Sequence, residues 1–554
     1  MNNSTISDVF SLLSKLSEIH GENSFKSKSY SVAAFSIDRY PEPLISLPRE
    51  KIATIKGIGA SSAQKIFELF ETGRIQALED LIAITPSGIV QMMKIKGLGP
   101  KKINTIWKEM EIETIGELLY ACKENRLKLY KGFGEKTQQA ISDSIEFFQK
   151  SQGRFLFAQV VDLSKEITER MENIFGKRNV IITGDVARQN EIVDALEYVI
   201  AANEQQIIFE MEKTGFVQEG SDDGLSFKTN EGIRLCIFPV EEQNLAYEGI
   251  IRTGSESFNK AFAESISSGE AAGLDEEEIF EKAGMPRIPP FLRENPEIFE
   301  QYKPNNSIIQ QEDIRGIIHC HSTWSDGSHT IEELADACEK MNLDYLVITD
   351  HSKSAFYANG LTEDRIRQQH EFIDRFNSSS LSIKIFKGIE SDILNDGRLD
   401  YPDNVLSTFD VVIASVHSNL KMTEEKATAR LISAIENPYT TILGHMTGRL
   451  LLSRNGYPVN HRKVIDACVA NNVAIELNAH PNRLDIDWRE IGYALDKGAY
   501  ISIDPDAHFI EGLDDVKFGI WVAQKAMLPK ERNLSSMNRI EFESYLVRNK
   551  SKRG

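Results

Sequence analysis

The chain has 554 residues with 83 acidic and 63 basic side chains, a formal net charge of -20, and its length predicts several domains with ample chain to bury cores. No apolar run approaches membrane-spanning length, and the N-terminus Met1-Asn2-Asn3-Ser4-Thr5-Ile6 shows neither a charged leader nor an apolar signal segment, so a soluble, cytoplasmic protein without a membrane partner is expected. Five scattered cysteines (Cys122, Cys236, Cys320, Cys338, Cys468) with no C-x-x-C pair argue against a disulfide framework or a structural zinc finger, and the negative total leaves nucleic-acid binding to local basic surface.

Residues 1 to 80 read as a small helical domain. Val9 to Ile19 is an amphipathic helix, and a second follows Asn23 to Tyr30. Then comes Ile55-Lys56-Gly57-Ile58-Gly59, a tight turn between two helices; the device returns at Gly97-Leu98-Gly99 and at Gly132-Phe133-Gly134, the last two within a region spanning 81 to 150. These are helix-hairpin-helix patterns. Their glycines let the backbone approach a phosphate while the amides opening the next helix point at the anion. Lys101, Lys102 and Lys136 add charge beside them. One Gly-x-Gly is commonly a packing turn; three, two of them followed by lysine, favour DNA backbone binding.

Residues 269 to 300 are acidic and end in the proline-containing turn Arg287-Ile288-Pro289-Pro290, and 301 to 312 read as a linker. From Ile314 a different rhythm begins. Seven apolar, β-branched runs each end in a residue able to bind a metal: Ile314 to His321, Asp344 to His351, Ile383 to Glu390, Phe409 to His417, Thr441 to His445, Val473 to His480 and Tyr500 to His508. Amphipathic helical stretches lie between most of them, such as Thr330 to Met341 and Arg462 to Asn471. Alternating strand and helix predicts a parallel β/α barrel with the ligands at one mouth. On the first strand the pleat points His319 and His321 to one face and Cys320 to the other. That pair alone suits a hydrogen-bonded role as well as a metal; its recurrence down the chain points to metal. Lys353 and Arg449, close to ligand positions, either hold substrate phosphate oxygens or are ordinary rim charges. His480 is expected to be hydrogen-bonded rather than ligating. The end of the chain, within residues 531 to 554, is expected to be a tail, basic from Asn549 to Gly554.

On these motifs, residues 306 to 525 resemble the polymerase and histidinol phosphatase (PHP) domain, a metal-dependent phosphoesterase family with a seven-unit β/α barrel. The resemblance implies two to three divalent ions, zinc, manganese or iron, on nine positions, all filled here: His319, His321, Asp326, His351, Glu390, His417, His445, Asp506 and His508. Two positions depart from the family. Ile317 stands where an aspartate usually orients the first histidine, and Asp504 where Asn or Thr is common.

With the hairpins added, almost the whole chain resembles the bacterial family X DNA polymerases. The implied architecture is multidomain α/β: the helical hairpin region, a nucleotidyltransferase-like α+β palm and thumb over residues 151 to 300, and a C-terminal (βα)7 PHP barrel over 313 to 530. Lys65 matches the family's Schiff-base lysine, a candidate lyase residue, with Ser61 where a second lysine usually sits; phosphate binding by Lys65 is the preferred reading. The palm departs from the family. Aligned from Gly184, and back from Thr253-Gly254-Ser255, its three catalytic aspartates correspond to Ala195, Glu197 and Cys236, and Asp185 replaces the triphosphate-binding serine. One glutamate cannot assemble two magnesium ions against a triphosphate. Thr253, Gly254, Ser255 and Asn259 match the family's sugar and base contacts, with Phe258 where a histidine is expected. The expectation is a DNA-binding, metal-dependent phosphoesterase, a 3′-5′ exonuclease or DNA-end processing enzyme of repair, that has lost polymerase activity. Gapped DNA or processed ends are its expected partners, with a polymerase or ligase possible beside it. A gap-filling polymerase and a non-catalytic DNA-end scaffold remain as alternatives.

Overall fold

The computed structural model describes the chain except residues 116–117, 119–120, 123–126, 128–129, 152, 220–223, 230–231, 356–357, 380–381, 453–454 and 551–554. It divides into two units, Met1–Gln152 and Gly153–Gly554.

The first unit is helical. Helix α1 (Asn3–Ile19) starts where the Asn2 side chain accepts the Thr5 amide, and it buries Ile6, Phe10, Leu13 and Leu16 against α2 (Ser24–Asp38). The three hairpins share one construction. Gly57, Gly97 and Gly132 take φ of 93°, 86° and 93°, a region open to glycine, and Gly59, Gly99 and Gly134 directly precede α3 (Ala60–Thr72), α4 (Pro100–Lys108) and α5 (Glu135–Ser151). At Gly57 the approach is also close: a Cβ there would lie 2.1 Å from Ser36 Oγ of α2.

The second unit begins with a five-stranded sheet in the order β1 (Val180–Thr183), β2 (Ala195–Ile200), β5 (Arg234–Pro239), β4 (Leu225–Lys228), β3 (Val217–Glu219). Only the β2–β5 pair is parallel. Tyr198, Phe227, Leu235 and Ile237 fill its core.

Seven parallel strands follow in sequence order: β6 (Gly316–Ile317), β7 (Tyr345–Ile348), β8 (Lys384–Asp392), β9 (Val411–Ser415), β10 (Ile442–Leu443), β11 (Ala474–Asn478) and β12 (Ile501–Asp504). The chain beyond β6 meets the chain beyond β12 through a parallel bridge between Cys320 and Ala507, where the His321 amide donates to Ala507 O at 2.8 Å, so the sheet curls into a nearly closed barrel. Burial is near-continuous along these strands, as expected when helices cover a parallel sheet.

Residues 531–550 are not a tail. Arg539–Lys550 is a helix whose Phe542, fully buried, stacks on Tyr345 at 4.6 Å and meets Phe386 edge-on at 5.2 Å, sealing the barrel where β7 begins. Apolar residues at 542, 545 and 546 give this otherwise charged helix one face to bury. Of the basic end, 551–554 lie outside the described residues. Among the described residues, no helix is long and apolar enough to cross a membrane.

Candidate metal centre

Parallel strands end in step, so the residues that terminate them converge on one mouth of the barrel. Glu390, the seventh residue of β8, is buried at the centre of that mouth. Its carboxylate lies 2.9 Å from His351 Nδ1, 3.0 Å from His445 Nε2, 3.1 Å from His417 Nε2, 3.4 Å from His319 Nε2 and 3.7 Å from His321 Nε2. A second carboxylate, Asp506, lies 3.1 Å from His321 Nε2 and 3.5 Å from His319 Nε2. A third, Asp326, lies 3.6 Å from His508 Nε2 and 3.7 Å from His351 Nε2. All nine expected positions are therefore brought together. Eight of them fall into three overlapping groups of donor atoms: His321, Asp326, His351 and His508; His319, His321 and Asp506; His351, Glu390 and His417; His445 joins through Glu390 at 3.0 Å.

The fit to cations rests on atoms that the protein leaves unsatisfied. His319 Nε2 and His321 Nδ1 are buried without a hydrogen-bond partner, an arrangement that is costly unless a cation completes it. Imidazole nitrogen and carboxylate oxygen in one cluster suit zinc, manganese or iron. The charges are strongly coupled. Although burial opposes its ionisation, His417, His319 and His351 hold the Glu390 carboxyl well below the usual carboxylate range. Burial also opposes charge on His417, but Glu390 and Asp392 raise it to about 10; His508 rises to about 9 against burial through Asp326 and Asp506. His321, buried beside His508 and His351, is lowered to about 3.

Three further carboxyl groups set the ligands and escaped the sequence reading. Glu476 on β11, fully buried, accepts from His319 Nδ1 across the barrel and from the backbone N–H of His445, which turns His319 Nε2 into the site. It supplies the orienting carboxylate absent at Ile317, which instead packs in the core. Asp392 accepts from His417 Nδ1 at 2.6 Å. Asp350 accepts from the amides of Ser322 and Ser325 at 2.8 and 3.1 Å and from Gln369 Nε2 at 2.6 Å, fastening the loop that carries Asp326 to the end of β7 that carries His351. Burial first, then the neighbouring Glu476 and Asp506, holds the Asp504 carboxyl well above the usual carboxylate range.

The two residues for which phosphate contact or a rim role was open are both paired within the protein. Arg449 is spent on the protein, bonding Asp487 at 2.6 Å, Arg483 O at 2.8 Å and Leu484 O, with Glu191 at 3.8 Å. Lys353 Nζ pairs with Glu363 at 2.8 Å on the rim. Arg483, which sequence reasoning passed over, brings Nε to 3.6 Å from Asp506 Oδ2 and is the better placed cation for a substrate phosphate. His480 stays in its own turn, its Nδ1 accepting the Asn482 amide at 3.2 Å.

Comparison with known proteins agrees with both halves of the chain. Family models match residues 1–75 as a helix-hairpin-helix domain, 89–146 as a SAM-like helix-hairpin-helix tandem and 318–480 as a PHP domain. A "DNA polymerase/3'-5' exonuclease PolX" of Bacillus subtilis is 32% identical over 98% of this chain and 99% of its own. The chain belongs to the bacterial family X DNA polymerases that carry a PHP domain. The barrel is also similar to probable phosphatases, one from Vibrio parahaemolyticus at 28% identity over 42% of this chain and 93% of that one, another from Caldanaerobacter subterraneus at 29% over 28% and 62%.

The positions that the resemblance matches to the family's aspartates lie on neighbouring strands. Glu197 on β2 pairs in register with Cys236 on β5, and Ala195 with Arg234. Among the three, Glu197 is the lone carboxyl; burial and Asp185 raise its pKa, and it packs so closely on Gly184 that a Cβ there would lie 2.7 Å from its Oε2. Asp185 accepts from Arg188 Nη2 at 2.8 Å and Asn190 Nδ2 at 2.9 Å, closing its own loop. In the hairpins, Lys102 Nζ donates to Gly97 O at 3.1 Å, Lys101 and Lys136 are exposed, and Lys65 Nζ lies 6.0 Å from the Tyr30 ring centre.

Proposed function

We propose that the protein is a DNA-binding 3′-5′ exonuclease or DNA-end processing phosphodiesterase of repair, with no remaining polymerase activity. In this reading residues 1–80 and 81–150 hold DNA through Gly57, Gly59, Lys65, Gly97, Gly99, Lys101, Lys102, Gly132, Gly134 and Lys136, residues 151–300 form an inactive palm and thumb, and the barrel of 313–530 cuts. The observation that carries it is the convergence of six imidazoles and three carboxylates with ring nitrogens left unpaired. A structural metal needs fewer ligands and no open position. Divalent ions held by these nine residues supply Lewis acidity to a phosphodiester and bring the pKa of water into the neutral range. Glu476 and Asp392 keep the ligating faces of His319 and His417 inward, and Arg483 holds a phosphate oxygen.

The test is a primer across a one-nucleotide gap with manganese, with and without deoxynucleotides. Shortening that is indifferent to nucleotides and lost in His319→Ala/His321→Ala, with DNA still bound, supports the reading. The printed name of the Bacillus subtilis relative favours a second reading, gap-filling synthesis. Primer extension would establish it and overturn the inference drawn from Ala195, Glu197 and Cys236.

A further inference from the structure

The turn that follows β11 carries Arg483 at the ligand-bearing end of the barrel, with Nε 3.6 Å from Asp506 Oδ2. That separation is too long for a hydrogen bond, so the contact itself does not fix the guanidinium. A long side chain with several rotamers is aimed only as well as the backbone beneath it is held. Here the backbone is in need of holding: the next residue, Leu484, has φ of 45°, a left-handed conformation that side chains disfavour.

Arg449, on the loop that begins with the ligand His445, supplies the hold. Its Nε donates to Arg483 O at 2.8 Å, its Nη2 to Leu484 O, and its Nη1 to Asp487 Oδ2 at 2.6 Å. Every nitrogen of the fork is engaged. Glu191 adds a second carboxylate 3.8 Å from Nη2, and the side chain is only 16% exposed, which withdraws it from the substrate. On the other side of Arg483 its own N–H donates to His480 O at 2.7 Å, so the chain is held both before and after the residue that faces Asp506. The pair with Asp487 alone would tie the two loops together. The bonds to two successive carbonyls do something more: they set the peptide planes from which the Arg483 side chain departs. Only a planar fork can serve both carbonyls and the carboxylate at once; a lysine has one nitrogen to offer.

We propose that Arg449 is a positioning residue for hydrolysis at the barrel mouth, acting on the substrate solely through Arg483, whose guanidinium it directs at a phosphate oxygen beside Asp506. The inference rests on the phosphodiesterase reading above and adds to it a division of labour between two arginines. One grips the backbone of the turn; the other meets the phosphate.

The test is a double-mutant cycle on the full-length protein, reading steady-state shortening of the gapped primer in manganese for the parent, Arg449→Lys, Arg483→Ala and the double variant. Arg449→Lys is expected to lower kcat/KM about tenfold, while manganese affinity and the thermal unfolding midpoint stay at their parental values. In the Arg483→Ala background the same change costs nothing further, because the group through which it acts is gone. Asp487→Asn runs the same cycle should the lysine variant not fold: it keeps an acceptor at the start of the helix Trp488–Asp496, loosens the grip on Arg449, and is expected to fall in the same direction and to be silent without Arg483. Losses that add overturn the inference, since Arg449 then acts by a route of its own. So does a parental rate in both Arg449→Lys and Asp487→Asn, or a fall in rate that is matched by a fall in metal affinity and unfolding midpoint. A parent protein that does not shorten the primer at all overturns the phosphodiesterase reading itself.

Discussion

Replacing Glu476 with glutamine changes one oxygen to nitrogen in a fully buried position, and the consequence can be worked through from its partners. One carboxylate oxygen serves His319 Nδ1 and the other the His445 backbone N–H, with Asn478 Nδ2 also reaching the second at 3.5 Å. Glutamine has one acceptor oxygen and one NH2. If the oxygen stays with His445, whose N–H has no alternative, the NH2 faces His319, and Nδ1 must then accept. The ring proton moves to Nε2, the nitrogen that faces Glu390 and Asp506, and His319 ceases to be a ligand. If the side chain flips instead, the His445 amide is stranded at a cost of about 1–3 kcal/mol. Either way the expected loss is about 10–100-fold in metal affinity or in activity at limiting metal, which corresponds to roughly 1.4–2.8 kcal/mol. Manganese titrations of nuclease rate, paired with direct metal binding, measure it, while oligonucleotide binding in EDTA should not move. A glutamine variant with parental metal affinity and rate would refute the assignment of Glu476 as the group that orients His319.

Arg483→Ala is expected to lower kcat/KM by about 10–100-fold, the scale of a charge-assisted hydrogen bond, with partial recovery in Arg483→Lys; unchanged kinetics in both would remove Arg483 from the substrate site. With His417 raised to about 10, His508 to about 9, and His319 held well above the ordinary imidazole range against burial by Asp506, Glu476 and Glu390, the metal-free fold holds imidazolium protons at neutral pH. That stabilisation is present below pH 6.5 and lost as pH rises through the raised values, about 9 for His508 and about 10 for His417. Ligation needs neutral imidazole, so metal loading expels protons and weakens toward acid, by up to about tenfold per pH unit for each proton displaced; calorimetry in buffers of different ionisation heat reads the release, and none would contradict the assignment. Phe542→Ala empties the space between Tyr345 and Phe386 and should cost about 3–5 kcal/mol in denaturant unfolding; a loss below about 1 kcal/mol would mean the C-terminal helix does not seal the barrel.

The barrel mouth was legible because eight of the nine expected ligands sit at or within two residues of the end of an apolar, β-branched run, so a local pattern carried their position; Asp326, on the loop after His321, is the exception. The groups that aim those ligands were not. Glu476 meets His319 across 157 residues of chain, and Asp392 meets His417 across 25; closure of the barrel creates those contacts, and no spacing rule anticipates them. Glu476 does leave a trace, as a carboxyl in the middle of an otherwise apolar strand that will be fully buried. Arg449 and Arg483 show the same limit from the other side. Both follow barrel strands, Arg449 after β10 and Arg483 after β11, and only the carbonyls of Arg483 and Leu484 bonding to Arg449 decide that one arginine is taken up by the protein and the other faces Asp506. The hairpins were readable because a Gly-x-Gly turn is local, while the close packing of the first of them on α2 is not. The C-terminal helix was missed because its buried face is three residues wide and lies among charges.

The five-stranded sheet and the loop of residues 184–191 are tied to the barrel by contacts that do not depend on nucleotide transfer. The Lys525 side chain, fully buried, donates to Arg188 O at 2.6 Å and Asn190 Oδ1 at 2.9 Å and pairs with Glu294 at 2.7 Å. One step along the same loop, Glu191 lies 3.3 Å from Arg489 Nη1 and 3.8 Å from Arg449 Nη2. Arg449 in turn bonds the backbone of Arg483, the residue that faces Asp506. A continuous series of bonds therefore runs from the palm loop to the rim of the metal centre. Deleting residues 151–300 would remove these partners of Lys525 and uncover Arg449 and Arg489. The loop of residues 188–191 is part of the wall that holds the barrel's own arginines in place.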